Sequence, residues 1–200
     1  NMKPLYDYME GYNGDQMAGE LNVQSKHSIE KQSAHRVDCF TTVSEITNTE
    51  CRELLDKAAD VVLMNGFEND FVPKGASFTA KRKRARALKL QLANCLFGET
   101  FNDNETLIIG TSGRYEFKNK GINVFLEAMS RLNNDENLQK KVLAFVNVPA
   151  WVAGPREELQ QRMASKKTFD TPLDFPFTTH WLHNMSHDNV LGMMKYYDMH

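Results

Sequence analysis

The chain has 200 residues, 41% of them hydrophobic, and a formal net charge of −2. That length suits one ordinary domain or parts of two, with apolar content enough for a packed core. The charge excludes any global pull toward nucleic acid or an anionic membrane, and no apolar run approaches the roughly 20 residues of a bilayer span. No signal-peptide pattern opens the chain. Cys39, Cys51 and Cys95 are widely spaced and odd in number, which fits reduced thiols in a cytoplasmic protein better than a disulfide framework or a metal set.

In chain order, residues 1–15 are rich in Tyr, Gly, Asp and Asn and read as a loop. Residues 16–36 are polar but helix-compatible, with Met17, Leu21, Ile29 and Ala34 as inward positions. His27 and His35 share a helix face there without a third metal ligand nearby. Val37–Val43 is β-branched and aromatic, hence a strand. Thr47, with Glu50 three residues on, reads as a capping box for a helix that turns Cys51, Leu54, Leu55 and Ala58 inward. Asp60–Met64 is a second short strand, stopped by Asn65-Gly66. Strand, helix, strand in this order is a right-handed parallel crossover.

Residues 67–77 hold Pro73 and Gly75 and have a linker's composition. A helix over 78–97 follows, with Ala85, Leu88, Leu92 and Cys95 or Leu96 inward. Its front half, Lys81-Arg82-Lys83-Arg84-Ala85-Arg86, is a polyanion- or nucleic-acid-binding candidate. It lacks interleaved aromatics, however, so a solvated helix face is favoured. Residues 98–105 form a loop, Thr106–Thr111 a strand and Ile122–Leu132 a helix. Lys141–Val148 is a nearly continuous apolar strand, as buried parallel strands are. A short helix is expected over 155–164 and irregular chain over 165–179. His180, His183 and His187 are spaced for one helix face and a metal, but Thr178, Thr179, Asn184 and Ser186 favour a loop. Asp188 is placed to cap a last helix, 189–198.

Gly113–Gly121 joins the strand at 106–111 to the helix at 122. It carries Arg114 and Lys120, six residues apart, before a glycine where the helix starts. A helix N-terminus presents free N–H groups and a positive dipole end to an anion. Arg114 can grip phosphate with two parallel hydrogen bonds and Lys120 adds a mobile point charge. The same residues also read as a solvated αβ loop.

Three stretches resemble the glycogen synthases of the animal and fungal type. His35–Thr47 resembles H-x-x-D-V-F-T-T-V-S-x-I-T. Asp60–Phe67 resembles P-D-x-V-x-P-N-G-L, with Met64 at the family's proline. Gly110–Gly121 resembles x-A-G-R-Y-E-F-x-N-K-G, the longest and most specific of the three. Lys141–Ala150 is similar to a strand ending in M-P-A. The resemblance spans about residues 16–150 and is faint beyond 151.

The resemblance implies a retaining glucosyltransferase that moves glucose from UDP-glucose to the nonreducing end of an α-1,4-glucan. Its partners are a nucleotide-sugar donor and a glucan acceptor, with no nucleic acid, no membrane, no metal and no other cofactor. The implied fold class is α/β, with the Rossmann-like parallel β-α-β units of a GT-B enzyme and both domains incomplete. Residues 1–66 would end the N-terminal, acceptor-side domain, 67–77 would be the linker, and 78–200 would begin the nucleotide-sugar-binding domain. The implied catalytic residues are Arg114 and Lys120, in a donor-diphosphate site made with Gly113 and Gly121. Ser44 and Glu45, at a strand's C-terminal end, are candidate cleft residues. Tyr115 and Phe117 are packing residues, and Glu116 orients a cation or caps the helix. The family's other active-site motifs are missing, so the expectation is an inactive middle fragment whose open sheet edges favour a homo-oligomer. The alternatives are another GT-B glycosyltransferase with a different donor, or a noncatalytic polyanion-binding module.

Overall fold

A computed structural model describes residues 10–199. The expected loop at 1–15 falls mostly outside the described residues. The chain forms two compact units, Asn1–Val72 and Pro73–His200, both mixed α/β.

In the first unit the expected helical region divides into α1, Gly14–Glu20, and α2, Gln24–Arg36. The break comes at Asn22, in the left-handed region at φ 56°. α1 begins earlier than its composition indicates because Asn13 caps it, accepting a hydrogen bond from the Gln16 N–H at 3.0 Å. Ala18 and Ala34 are buried, whereas Leu21 and Ile29, both expected inward, are exposed. Polar links do much of the joining: Lys31 of α2 reaches Asp15 of α1 at 2.8 Å and Asp56 at 2.6 Å. His27 lies 2.8 Å from Asp15, and His35 donates to the Leu55 carbonyl at 2.9 Å. These two histidines therefore join helices.

The expected strand at 37–43 contracts to β1, Thr41–Thr42, parallel to β2, Val61–Val62. Just ahead of β1, Phe40 is still tied to Asp60, its carbonyl accepting the Asp60 N–H and its own N–H going to the Asp60 carboxylate, both at 2.8 Å. Between them lies α3, Glu45–Leu55, so the expected β-α-β crossover is present and parallel. Its cap is Ser44, which accepts the Thr47 N–H at 3.1 Å. Thr47 is thus inside the helix, a correction to the capping box. Cys51, Leu54 and Leu55 are half-buried, and Ala58 lies beyond the helix and exposed.

In the second unit α4 runs from Gly75 to Phe97, so it begins within the stretch whose composition suggests a linker. Its front half is exposed, Leu88 and Ala85 included; Ala93, Asn94, Cys95 and Leu96 are buried. The sequence placed Ala85 and Leu88 inward, but the buried residues of α4 all lie in its final turns, and in mid-helix it is Arg86 that reaches β3, at the Thr106 carbonyl. There Cys95 and Leu96 pack with Leu159, Leu92, Phe97, Met163, Phe169 and Leu173. Asn94 closes this core. Its amide donates to the Glu99 and Phe169 carbonyls and accepts the Phe169 N–H, each at 3.0 Å. Gly98 ends the helix at φ 63°, with no room for a side chain beside the Thr171 backbone.

β3, Thr106–Ser112, and β4, Lys141–Asn147, pair parallel along seven residues in unbroken register. α5, Ile122–Asn133, crosses between them and buries Ile122, Leu126 and Ser130. This is the second expected β-α-β unit. Beyond it the sequence showed less. β5, Val152–Pro155, and β6, His180–Leu182, form an antiparallel pair that the sequence did not announce. α6, Glu157–Ser165, and α7, Asn189–Tyr196, match the two expected helices closely. Arg156 anchors the intervening segment. It is fully buried, with its guanidinium bonded to the carbonyls of Asp174, Phe175 and Thr178 at 2.5, 2.7 and 3.2 Å and to Glu158. The Trp181 ring lies 4.5 Å from it.

Candidate functional site

The loop between β3 and α5 turns tightly on its own backbone. The Glu116 N–H bonds to the Arg114 carbonyl at 2.8 Å, Lys120 to Glu116 at 2.9 Å and Gly121 to Lys118 at 3.0 Å. The Gly113 N–H reaches the Asn147 carbonyl of β4 at 3.3 Å, so the loop starts at the C-terminal edge of both strands. Gly121 is the residue before α5 and sits at φ 65°, a conformation that costs other L-residues energy. No side chain caps α5. In its first turn the Asn123 N–H is taken by the Phe117 carbonyl at 3.3 Å, and no side chain meets the positive end of the dipole.

Side chains along the loop separate by exposure. Tyr115, Glu116 and Phe117 are half-buried; Arg114, Lys118 and Lys120 are exposed. Arg114 is paired with Glu116, Nε to Oε1 at 3.2 Å. Glu116 thus orients a cation and does not cap the helix. The loop brings together Gly113, Arg114, Lys120 and Gly121, and adds Lys118, a third cation that the sequence reading passed over. Exposed cations on a loop leading into a helix N-terminus are chemically suited to an anion.

Tyr115 does more than pack. Its hydroxyl donates to Asp188 Oδ2 at 2.5 Å and accepts the Val190 N–H at 3.3 Å. Burial first, and the bond to Asp188 second, push this phenol well above its ordinary pKa. It remains a proton donor at any physiological pH. Asp188 also caps α7, as expected, accepting the Val190 and Leu191 N–H groups at 3.0 Å with Oδ1. Nothing in the sequence signals a contact spanning residues 115 and 188; it depends on the path of the intervening chain.

Ser44 and Glu45 lie just past β1. Ser44 is engaged as the α3 cap, its hydroxyl 3.0 Å from Thr47 Oγ1, and Glu45 is exposed in the first helical turn. The basic run Lys81–Arg84 is exposed on α4, while Arg86 is turned back to Asp103 and the Thr106 carbonyl. His180, His183 and His187 do not share a helix face. His180 is in β6 beside Thr179, His183 stacks near Trp151, and His187 bonds within its own loop to Asn184 and Ser186. Among the described residues no group of three His, Cys, Asp or Glu could hold a metal ion. No helix there is long and apolar enough to cross a membrane.

The family model for glycogen synthase matches residues 2–175, extending the resemblance past Ala150. The chain is 35% identical over 155 residues to glycogen [starch] synthase isoform 2 of Saccharomyces cerevisiae, covering 73% of this chain and 21% of that protein. It is 33% identical to the human liver glycogen [starch] synthase, covering 73% and 22%, and 30% identical to that of Neurospora crassa, covering 85% and 25%. The chain spans about a quarter or less of the length of these relatives. A family match over most of the chain, including the stretch with the Arg114–Gly121 loop, leads to one conclusion: this chain belongs to the glycogen synthase family.

Proposed function

We propose that this chain supplies the donor-diphosphate loop of a GT-B glycogen synthase. The whole protein would transfer glucose from UDP-glucose to the nonreducing end of an α-1,4-glucan, with retention. The observation that carries this reading is the exposure of Arg114 and Lys120 in a loop closed by Gly121 ahead of an uncapped α5. The relatives' shared name supports the reaction.

As the bond between the sugar and the β-phosphate breaks, negative charge grows on the departing UDP. Fixed cations and helix N–H groups placed at that charge lower the barrier because they need no reorganisation during the step. Arg114 binds phosphate oxygens through its planar fork, Lys120 neutralises from a flexible stem, and Gly121 lets the chain turn into α5. Glu116 holds the guanidinium until the diphosphate arrives. In the whole protein, Arg114→Ala or Lys120→Ala should lower kcat for glucose transfer by about 10²–10³-fold, with a smaller rise in the KM for UDP-glucose. An unchanged kcat in both variants would overturn the assignment.

A further inference from the structure

The loop's own hydrogen bonds are nearly all local; its longer-range polar attachments among the described residues are the Gly113 N–H to Asn147 and the Tyr115 hydroxyl. Tyr115 lies between Arg114 and Glu116, the two members of the loop's ion pair. Its hydroxyl is fully engaged, giving its proton to Asp188 and taking the Val190 N–H. Asp188 divides its carboxylate, one oxygen for the α7 cap and the other for the phenol. Both side chains also line a cavity of ≈290 Å³ between β4, the end of α4 and α7, so neither is a freely moving surface group.

We propose that Tyr115 is a positioning residue: through Asp188 it ties the 113–121 loop to the amino end of α7, and this tether holds Arg114 in its diphosphate-binding position. The inference rests on the donor-diphosphate reading of that loop. Tyr115 is the next residue after Arg114, and the Glu116 N–H to Arg114 carbonyl bond at 2.8 Å draws this backbone into a tight turn, so anchoring the phenol fixes the backbone from which Arg114 and its partner Glu116 extend. Without the tether the loop must be ordered by the ligand, and that ordering is subtracted from affinity.

Two substitutions isolate the tether. Tyr115→Phe keeps the ring and removes the hydroxyl. Asp188→Ser keeps an oxygen able to cap α7 but is too short to reach the phenol. UDP binding to the whole protein, followed by isothermal calorimetry, should weaken about tenfold in each variant. The double variant should be little worse than either, because both remove one bond. Amide exchange at Glu116, Lys120 and Gly121 should quicken in both, with the β3–β4 amides unchanged. Full UDP affinity in both single variants, while Arg114→Ala still abolishes binding, would overturn the tether and leave the donor-loop reading intact. UDP binding that is absent, or indifferent to Arg114→Ala, would overturn both. Additive losses in the double variant would show that the two side chains act separately and would also overturn the tether.

Discussion

Arg156 shows how much a single side chain can hold together. Burial of a guanidinium is tolerated only where its charge and donors are matched, and here three carbonyls, Glu158 and the Trp181 face supply the match. These partners come from residues 158–181, the stretch least legible in the sequence. Arg156→Ala should lower the stability of the second unit by roughly 3–5 kcal/mol, measured by urea unfolding. A change within ordinary surface-mutation scatter would show that the arginine fills space without organising the segment. This anchor left no mark in the sequence, because Arg-Glu-Glu at a helix start looks like solvated charge until the partners' positions are known. Arg114 and Lys120 differ in that their position depends on short-range spacing from strand end to helix start, which can be counted. The structure puts both, exposed, on that loop, and their role there is the one proposed above.

At the scale of elements, what was legible follows how local the determining forces are. α5 was clear because Ile122 and Leu126 recur on one buried face of a helix lying between two strands. β3 and β4 were clear because both carry the apolar runs of parallel strands, although Thr106 and Leu143 are their only buried residues. α4 was found as a helix but misjudged as to burial, since its front half extends past the elements it could pack on. β5 and β6 were missed because four- and three-residue strands joined across a long irregular stretch leave no periodicity to detect. Two helix-end glycines separate conformational from steric cost. Gly121 has a left-handed backbone and open space around it, so Gly121→Ala should cost about 1–2 kcal/mol. Gly98 shares that conformation, but a side chain there collides with the Thr171 backbone, so Gly98→Ala should cost distinctly more. Thermal unfolding of the two variants makes the comparison; equal losses would mean the segment at 171 yields freely.

At the scale of the molecule, the two units share a β-α-β plan but are secured differently. The second has a seven-residue parallel register and an apolar core at the end of α4. The first has two-residue strands and relies on ion pairs among its helices. Acid should therefore weaken the fold in a predictable direction. Lys31 and then His27 hold the Asp15 carboxyl below its ordinary pKa. Lys57 and the Phe40 N–H do the same for Asp60, and in the second unit Glu158 is lowered by its own backbone N–H and by Arg156. Each group's folded pKa lies below its unfolded one, so between the two values the unfolded chain binds more protons. The stabilising contribution is complete above the ordinary carboxylate range and disappears as pH falls through the folded values. Lys31, raised by Asp15 and Asp56, has the opposite sign: its contribution is complete below the ordinary lysine value and is lost as pH rises through the raised one. The urea midpoint should fall steadily from pH 6 toward pH 3, and less steeply in Asp15→Asn; a midpoint independent of pH would contradict this account.

The Arg114–Glu116 pair gives the loop a built-in competitor. On the reading proposed above, an arriving diphosphate would not meet a bare cation; it would displace a carboxylate already seated on the guanidinium. Occupancy would then be an exchange of counter-ions, and singly charged anions, which gain little over the resident carboxylate, would be at a disadvantage. On that reading the loop would discriminate by charge density before any sugar or base is recognised, and as UDP departs the carboxylate stands two residues away from the guanidinium it would reclaim.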